Sequence, residues 1–299
     1  MIPKELISQI RKIEIKSKKL VDSIFAGNFR SAFKGRGLEF EGIRQYIRGD
    51  DYRNIDWKVT ARMNKPFVKI YREERELVVM LVIDVSASAA FGSLGQTKRE
   101  LAAEFCATIA LSAVSAGDSV GLLMFSDRIE KFIPPKKGKT HALRLIREIL
   151  FFRPASRRTK MYDALSFLNR AIKHRCIAFV VSDFEGIDAR DEKMLSVTNL
   201  RHDAISIILN DELDIMNQDV GLVDIYDLET GEAMTVDTSN KKVRGKLMEE
   251  WQKRRDALKR MLRKCNIDFM HLSTGHPIQK PMMEFFRRRE TVGGKQAAR

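Results

Sequence analysis

The stretch Leu77-Val-Val-Met-Leu-Val-Ile83-Asp84-Val-Ser86-Ala-Ser88 decides how the rest of the chain is read. An uninterrupted apolar run that ends in an acid is the pattern of a β-strand buried on both faces. At 77–83 the run is far below the roughly 20 residues that span a bilayer. It therefore predicts a central strand of a covered sheet, with polar side chains starting where the strand stops.

Downstream the same rhythm returns. Residues 98–116 predict a helix with a broad apolar stripe (Leu101, Phe105, Ile109, Val114), followed by a turn at Gly117-Asp118. Residues 119–125 predict a second buried strand, with a short strand at 128–133 beside it. Helices follow at 140–152, stopped by Pro154, and at 161–174. A strand is expected at 176–182, a helix at 189–200 and a strand at 204–209. Residues 218–238 carry a hairpin signal, with Glu229-Thr-Gly-Glu at its turn. A long helix at 242–264 sets Val243, Leu247, Trp251, Leu258 and Leu262 on one face. A last strand at 267–272 and a short helix at 281–289 complete residues 77–290, and 291–299 are expected to fray. Apolar strands alternating with helices imply an α/β fold: a Rossmann-like, doubly wound, mostly parallel sheet covered on both faces. In such sheets ligands bind beyond the carboxyl ends of the strands.

Upstream, residues 1–76 form a segment of another kind. Leu6, Ile10, Ile13, Leu20 and Ile24 keep roughly helical spacing across 3–24, with Lys and Arg between them. Gly35, Gly37, Gly42 and Gly49 among charges make 28–49 read as loop with short extended pieces, and 66–74 as a strand. The N-terminus mixes acids and bases without an apolar core, so no signal peptide is expected. The 299 residues carry a net charge of +14. It is divided as +7 over 1–76, −4 over 77–240 and +11 over 241–299. Basic ends of this kind meet nucleic acid, anionic lipid, an acidic protein or only solvent. Three cysteines, Cys106, Cys176 and Cys265, lie far apart without Cys-x-x-Cys spacing, which excludes a disulfide framework and points to reduced thiols in a cytoplasm.

Three segments bring oxygen-bearing side chains to strand ends or adjacent loops. Asp84-Val-Ser86-Ala-Ser88 follows the first buried strand. Thr159 lies in the loop that opens the helix at 161. Asp183 follows the strand at 176–182. Two carboxylates and three hydroxyls make a hard, all-oxygen set suited to Mg²⁺ or a similar divalent cation such as Mn²⁺. This pattern resembles the metal-ion-dependent adhesion site of von Willebrand factor A (vWA) domains. The resemblance implies that Ser86, Ser88 and Thr159 ligate a metal directly or through water, with Asp84 and Asp183 acting directly or from the second shell.

A second resemblance lies upstream. The residues are Gly35-Arg-Gly37-Leu-Glu39-Phe, Arg44-Gln-Tyr46-Ile-Arg48-Gly49-Asp50-Asp51-Tyr-Arg53-Asn-Ile-Asp56-Trp57-Lys58 and Ala61-Arg62. They resemble the signature of the family called domain of unknown function fifty-eight, which joins it to a vWA-like domain. That family implies partnership with a MoxR-type AAA+ ATPase and other vWA proteins, in chaperone-like assembly or stress tolerance. It brings no known reaction.

The expectation is a cytoplasmic, non-enzymatic adaptor that binds a partner's acidic side chain through a metal. Arg44, Arg48, Asp50, Arg53, Asp56 and Trp57 form a charge cluster. It reads either as a partner-docking face or as a network docking the N-terminal segment, with Trp57 as apolar anchor. Nucleic-acid binding is not expected, since no helix-turn-helix, zinc-finger or RNP signature is present. Membrane contact is expected to be peripheral at most, Trp251 being the only interfacial aromatic on the basic helix. Phosphate loops, a Gly-x-Ser-x-Gly elbow and His-x-x-x-His spacing are missing. Two alternatives stay open: an Mg²⁺-dependent hydrolase at the same cleft, with Asp163 or Glu185 as base or nucleophile, and a nucleic-acid or lipid-surface binder using the basic ends.

Overall fold

The computed structural model describes residues 13, 15–17, 38–73, 77–92, 95–211, 221–226 and 233–296. The chain forms two compact units, Lys34–Glu76 and Met1–Phe33 together with Leu77–Arg299. The change at 76/77 is where the apolar run begins.

In the larger unit, β3 (Val78–Asp84), β4 (Ser119–Phe125), β5 (Ile129–Lys136), β6 (Ile177–Ser182), β7 (Asp203–Asn210) and β10 (Asp268–Ser273) form one sheet. Its order is β10-β7-β6-β3-β4-β5, and every pairing but β4–β5 is parallel. β5 holds Pro134 and Pro135, which the edge position tolerates because its outer side makes no ladder.

The unbroken apolar run at β3 has a direct cause in the period of two. Val79, Leu81 and Ile83 face one core. That core also takes Leu101, Phe105 and Ile109 of α2 (Lys98–Ser115), Leu145 of α3 (Lys139–Phe151) and Phe285 of α7 (Gln279–Gln296). Met80 and Val82 face the opposite core, with Leu165 of α4 (Met161–Ala171), Leu195 of α5 (Ala189–Arg201) and Leu262 of α6 (Lys241–Lys264). The α/β architecture, a mostly parallel sheet with helices on both faces, follows. α2 is buried on nearly every side, because it lies between the sheet and α3.

Strands β8 (Leu222–Tyr226) and β9 (Ala233–Asp237) pair antiparallel as the hairpin signal required; their turn lies outside the described residues. The tail differs from expectation: α7 continues through Gly293 to Gln296 rather than fraying from 291. Of the helix expected at 3–24, only residues 13 and 15–17 are described. They are helical, and Ile13 packs against the first core.

Within 28–49, expected as loop with short extended pieces, the smaller unit holds a full strand. Residues Leu38–Gln45 form β1, antiparallel to β2 (Phe67–Glu73), with a register shift between Phe40 and Gly42. A bulge absorbs one extra residue without ending a strand, so the glycine that reads as a breaker sits within the ladder. Helix α1 (Trp57–Met63) starts where Asp56 accepts the backbone N–H groups of Lys58 and Val59.

Candidate metal centre

The chain leaves β3 for β4 on one side and later returns to β6 on the other. The carboxyl ends of β3 and β6 therefore flank the point where strand order reverses, the usual place for a ligand in an open α/β sheet. Asp84 ends β3, and Asp183 follows β6. The loop bearing Thr159 is tied to the first of these ends. The Ala87 N–H donates to the Arg157 carbonyl at 3.1 Å, and the Lys160 N–H to the Ser126 carbonyl at 2.9 Å. Glu130 holds the same loop by accepting the N–H groups of Ala155 and Ser156 at 3.0 and 3.3 Å.

The five expected residues come together around the Asp84 carboxylate. Oδ1 accepts the Ser86 N–H at 2.9 Å. Oδ2 accepts the Thr159 hydroxyl at 3.4 Å. Ser86 Oγ and Ser88 Oγ share a hydrogen bond of 3.0 Å. Asp183 is near enough for its charge to raise the Asp84 carboxyl, after burial, above the usual carboxylate range; the Ser86 and Ser182 bonds pull the other way.

Two members of the cluster were not read from the sequence. Ser182 Oγ donates to Asp84 Oδ2 at 2.9 Å and accepts the Phe184 N–H at 3.0 Å. The signal that could have found Ser182 is its terminal position on β6. Lys98, the first residue of α2, puts Nζ 3.3 Å from Asp183 Oδ2, with side chains only 5% and 7% exposed. No spacing rule reveals it, and its charge in the first turn runs against the helix dipole. Phe184 follows in a left-handed conformation, φ 59°. That is an uncommon state for a bulky residue and a strained one, held here beside Asp183.

The donor chemistry fits a hard divalent cation. Every candidate ligand is oxygen, and of the two carboxylates Asp183 is bonded to the Lys98 ammonium. Among the described residues no three His, Cys, Asp or Glu side chains gather as metal ligands. A cation here would therefore depend on the hydroxyls of Ser86, Ser88 and Thr159. A cleft of about 610 Å³ opens beside Asp183, between the segment 183–192, the end of β7 and α6. Arg255 lines it, with its guanidinium stacked 4.5 Å from the Trp251 ring centroid and bonded to His271 Nδ1 at 2.8 Å. The candidate bases Asp163 and Glu185 are both exposed, and Glu185 lies 4.0 Å from Arg254.

The charge cluster lies in the smaller unit. Arg44 forks onto Asp50 at 2.6 and 2.7 Å, and Arg44 holds the Asp50 carboxyl below its ordinary value. Arg53 Nε meets Asp51 at 3.2 Å, and Lys69 meets Asp56 at 3.8 Å. These pairs all close within Lys34–Glu76. Arg48 is exposed. Trp57, the expected apolar anchor of this segment, is 69% exposed.

Among the described residues no helix is long and apolar enough to cross a membrane. Uncharacterized proteins of Mycobacterium tuberculosis (Rv1480) and Mycobacterium bovis (Mb1516) are each 29% identical to this chain over 298 residues, covering 98% of it and 93% of the relative. The fold is similar to conserved hypothetical protein BatB of Bacteroides thetaiotaomicron, at 10% identity and a TM-score of 0.46 over 72% of this chain and 99% of that one. It is also similar to a von Willebrand factor type A structure from Catenulispora acidiphila, at 11% identity and a TM-score of 0.38 over 76% of this chain and 44% of that one. The family profile described as protein of unknown function DUF58 matches residues 42–257, well over half the sequence, and the chain belongs to that family.

Proposed function

We propose that the protein is a non-enzymatic adaptor that captures a protein partner through a divalent cation, Mg²⁺ or Mn²⁺. The observation that carries this reading is the convergence of Ser86, Ser88, Thr159 and Asp183 on the buried Asp84 carboxylate. Ser86, Ser88 and Thr159 would hold the cation, with Asp84 and Asp183 supplying its counter-charge. When bound, the cation offers an open coordination position to a carboxylate of the partner. Held mainly by neutral hydroxyls, it keeps most of its charge for that visitor. The cleft beside Asp183 gives the segment carrying the visiting acid room to lie.

The family resemblance nominates a MoxR-type AAA+ ATPase as the partner, with other vWA proteins as associates, in chaperone-like assembly. The smaller unit offers a second contact face, where Arg48, Tyr52 and Trp57 are exposed. Arg, Tyr and Trp dominate protein interfaces. We place the protein in a reducing cytoplasm, in keeping with three buried free cysteines.

The test is capture of a purified MoxR-type ATPase by the immobilised protein. An AAA+ enzyme uses magnesium with its own nucleotide, so a chelator alone does not discriminate. Asp84→Ala and Ser86→Ala do, because they alter only this chain. Capture lost in both variants, with folding intact, supports the reading. Capture unchanged in both contradicts it.

A further inference from the structure

We propose that Lys98 is a resident monovalent cation of this centre, which holds Asp183 in the metal-free protein and competes with a divalent cation for that carboxylate. The inference rests on the metal reading above and adds what sets the affinity. Lys98 is 4% exposed, and its ammonium lies 3.3 Å from Asp183 Oδ2. Lysine is almost never buried at this depth unless paired. Its place at the first turn of α2 makes the charge less favourable still, since the helix amino end is itself positive. Thr97 and Glu100 already cap α2 reciprocally, at 3.1 Å for the Glu100 N–H and 2.9 Å for the Thr97 N–H. The helix therefore starts without help from the lysine side chain. What the ammonium does is neutralise one of two carboxylates that burial sets close together.

A divalent ion drawn to Asp183 meets this ammonium at close quarters, and like charges in a poorly solvated site repel strongly. The lysine stem is flexible, and its charge is a single compact point. It can swing from the carboxylate as a divalent ion approaches. The pair thus acts as a threshold: metal enters only when its concentration, or a partner's acid completing its shell, outweighs the ammonium.

The experiment is titration of the full-length protein with Mn²⁺ alone, read by electron paramagnetic resonance and calorimetry. The proteins compared are wild type, Lys98→Met, Lys98→Gln, Asp84→Ala and the Lys98→Met/Asp84→Ala double variant. Lys98→Gln keeps a hydrogen-bond donor to Asp183 and removes only the charge, which covers the case in which methionine does not fold. Both single lysine variants are expected to bind Mn²⁺ roughly tenfold or more tightly than wild type. The gain is expected to vanish when Asp84→Ala is added. Affinity equal to or weaker than wild type in the lysine variants overturns the competition and leaves the metal reading standing. A gain that survives Asp84→Ala places the metal elsewhere and overturns it too. If none of the proteins binds Mn²⁺ at millimolar concentration, the metal reading falls and this inference with it. In the wild-type chain, the Lys98 ammonium resonance is expected to shift as Mg²⁺ is added. A resonance unmoved at saturation overturns the competition without any variant.

Discussion

Replacing Asp84 by asparagine is expected to stabilise the metal-free protein while abolishing its response to Mg²⁺. Burial, and then the neighbouring Asp183 charge, push the Asp84 carboxyl up to about 6. From an ordinary carboxylate value near 4, that difference is worth about 3 kcal/mol against the ionised form. The folded state holds the proton more tightly than the unfolded chain does. Stability therefore falls as pH rises from about 4 to about 6, and above that window the penalty is complete. Asparagine removes the charge and keeps an acceptor for the Ser86 N–H, a weaker one than carboxylate by about 1 kcal/mol. The net gain near neutral pH is about 2 kcal/mol, or roughly 4–8 °C in melting temperature for a unit of this size. Thermal unfolding with chelator is the assay, run near neutral pH and near pH 4, where the two proteins should converge. With Mg²⁺ added, wild type should gain stability and the variant should not. A variant that is less stable than wild type in chelator at neutral pH would refute the reasoning, since Asp84 would then be a satisfied anion rather than a penalised one.

Three further outcomes are expected. His202 is buried, accepts the Cys176 N–H at Nδ1, and is held down to about 4 by burial and then by Arg201 and Arg175. The unfolded chain takes up this proton first, so up to about 3 kcal/mol of stability should disappear as pH falls from about 6.5 to 4. Urea unfolding across that range should show the loss, flattened in His202→Asn, which keeps an acceptor for Cys176. Phe179→Ala removes a fully buried ring that meets Phe105 edge-on at 5.6 Å. Denaturant titration should report a loss of about 3–5 kcal/mol. Trp57→Ala, at an exposed position, should change stability by no more than about 0.5 kcal/mol. Weakened capture of the ATPase by this variant would assign Trp57 to the docking face, and unchanged capture would remove it.

The fold was legible wherever both faces of the sheet are covered. In β3, alternate residues enter different cores, so burial leaves no polar gap and the apolar run is its own signature. β1 reads only as short extended pieces because its glycine lies at a register shift, where a backbone without a side chain helps pairing rather than ending it. α7 was cut short because the end of a chain is expected to fray, yet Gly293 within it lowers helix stability by only about 1 kcal/mol and does not stop the helix. Within the centre, Asp84, Ser86 and Ser88 were readable because a strand end and a turn bring them together locally. Asp183 was readable in the same way, at the end of a buried strand, and Thr159 from the loop that opens a helix, although nothing in that segment says that the 156–160 loop folds back onto β3. Lys98 was invisible for a different reason. A lysine opening a helix looks like a solvated residue until the sheet places Asp183 beside it.

The most direct test of the central claim is anomalous scattering from crystals grown with Mn²⁺. The account predicts a single strong peak within bonding distance of the Ser86 and Ser88 hydroxyls and close to Asp84, with the Lys98 ammonium drawn away from Asp183. A centre with no peak at saturating Mn²⁺, and the lysine still seated on Asp183, would contradict it.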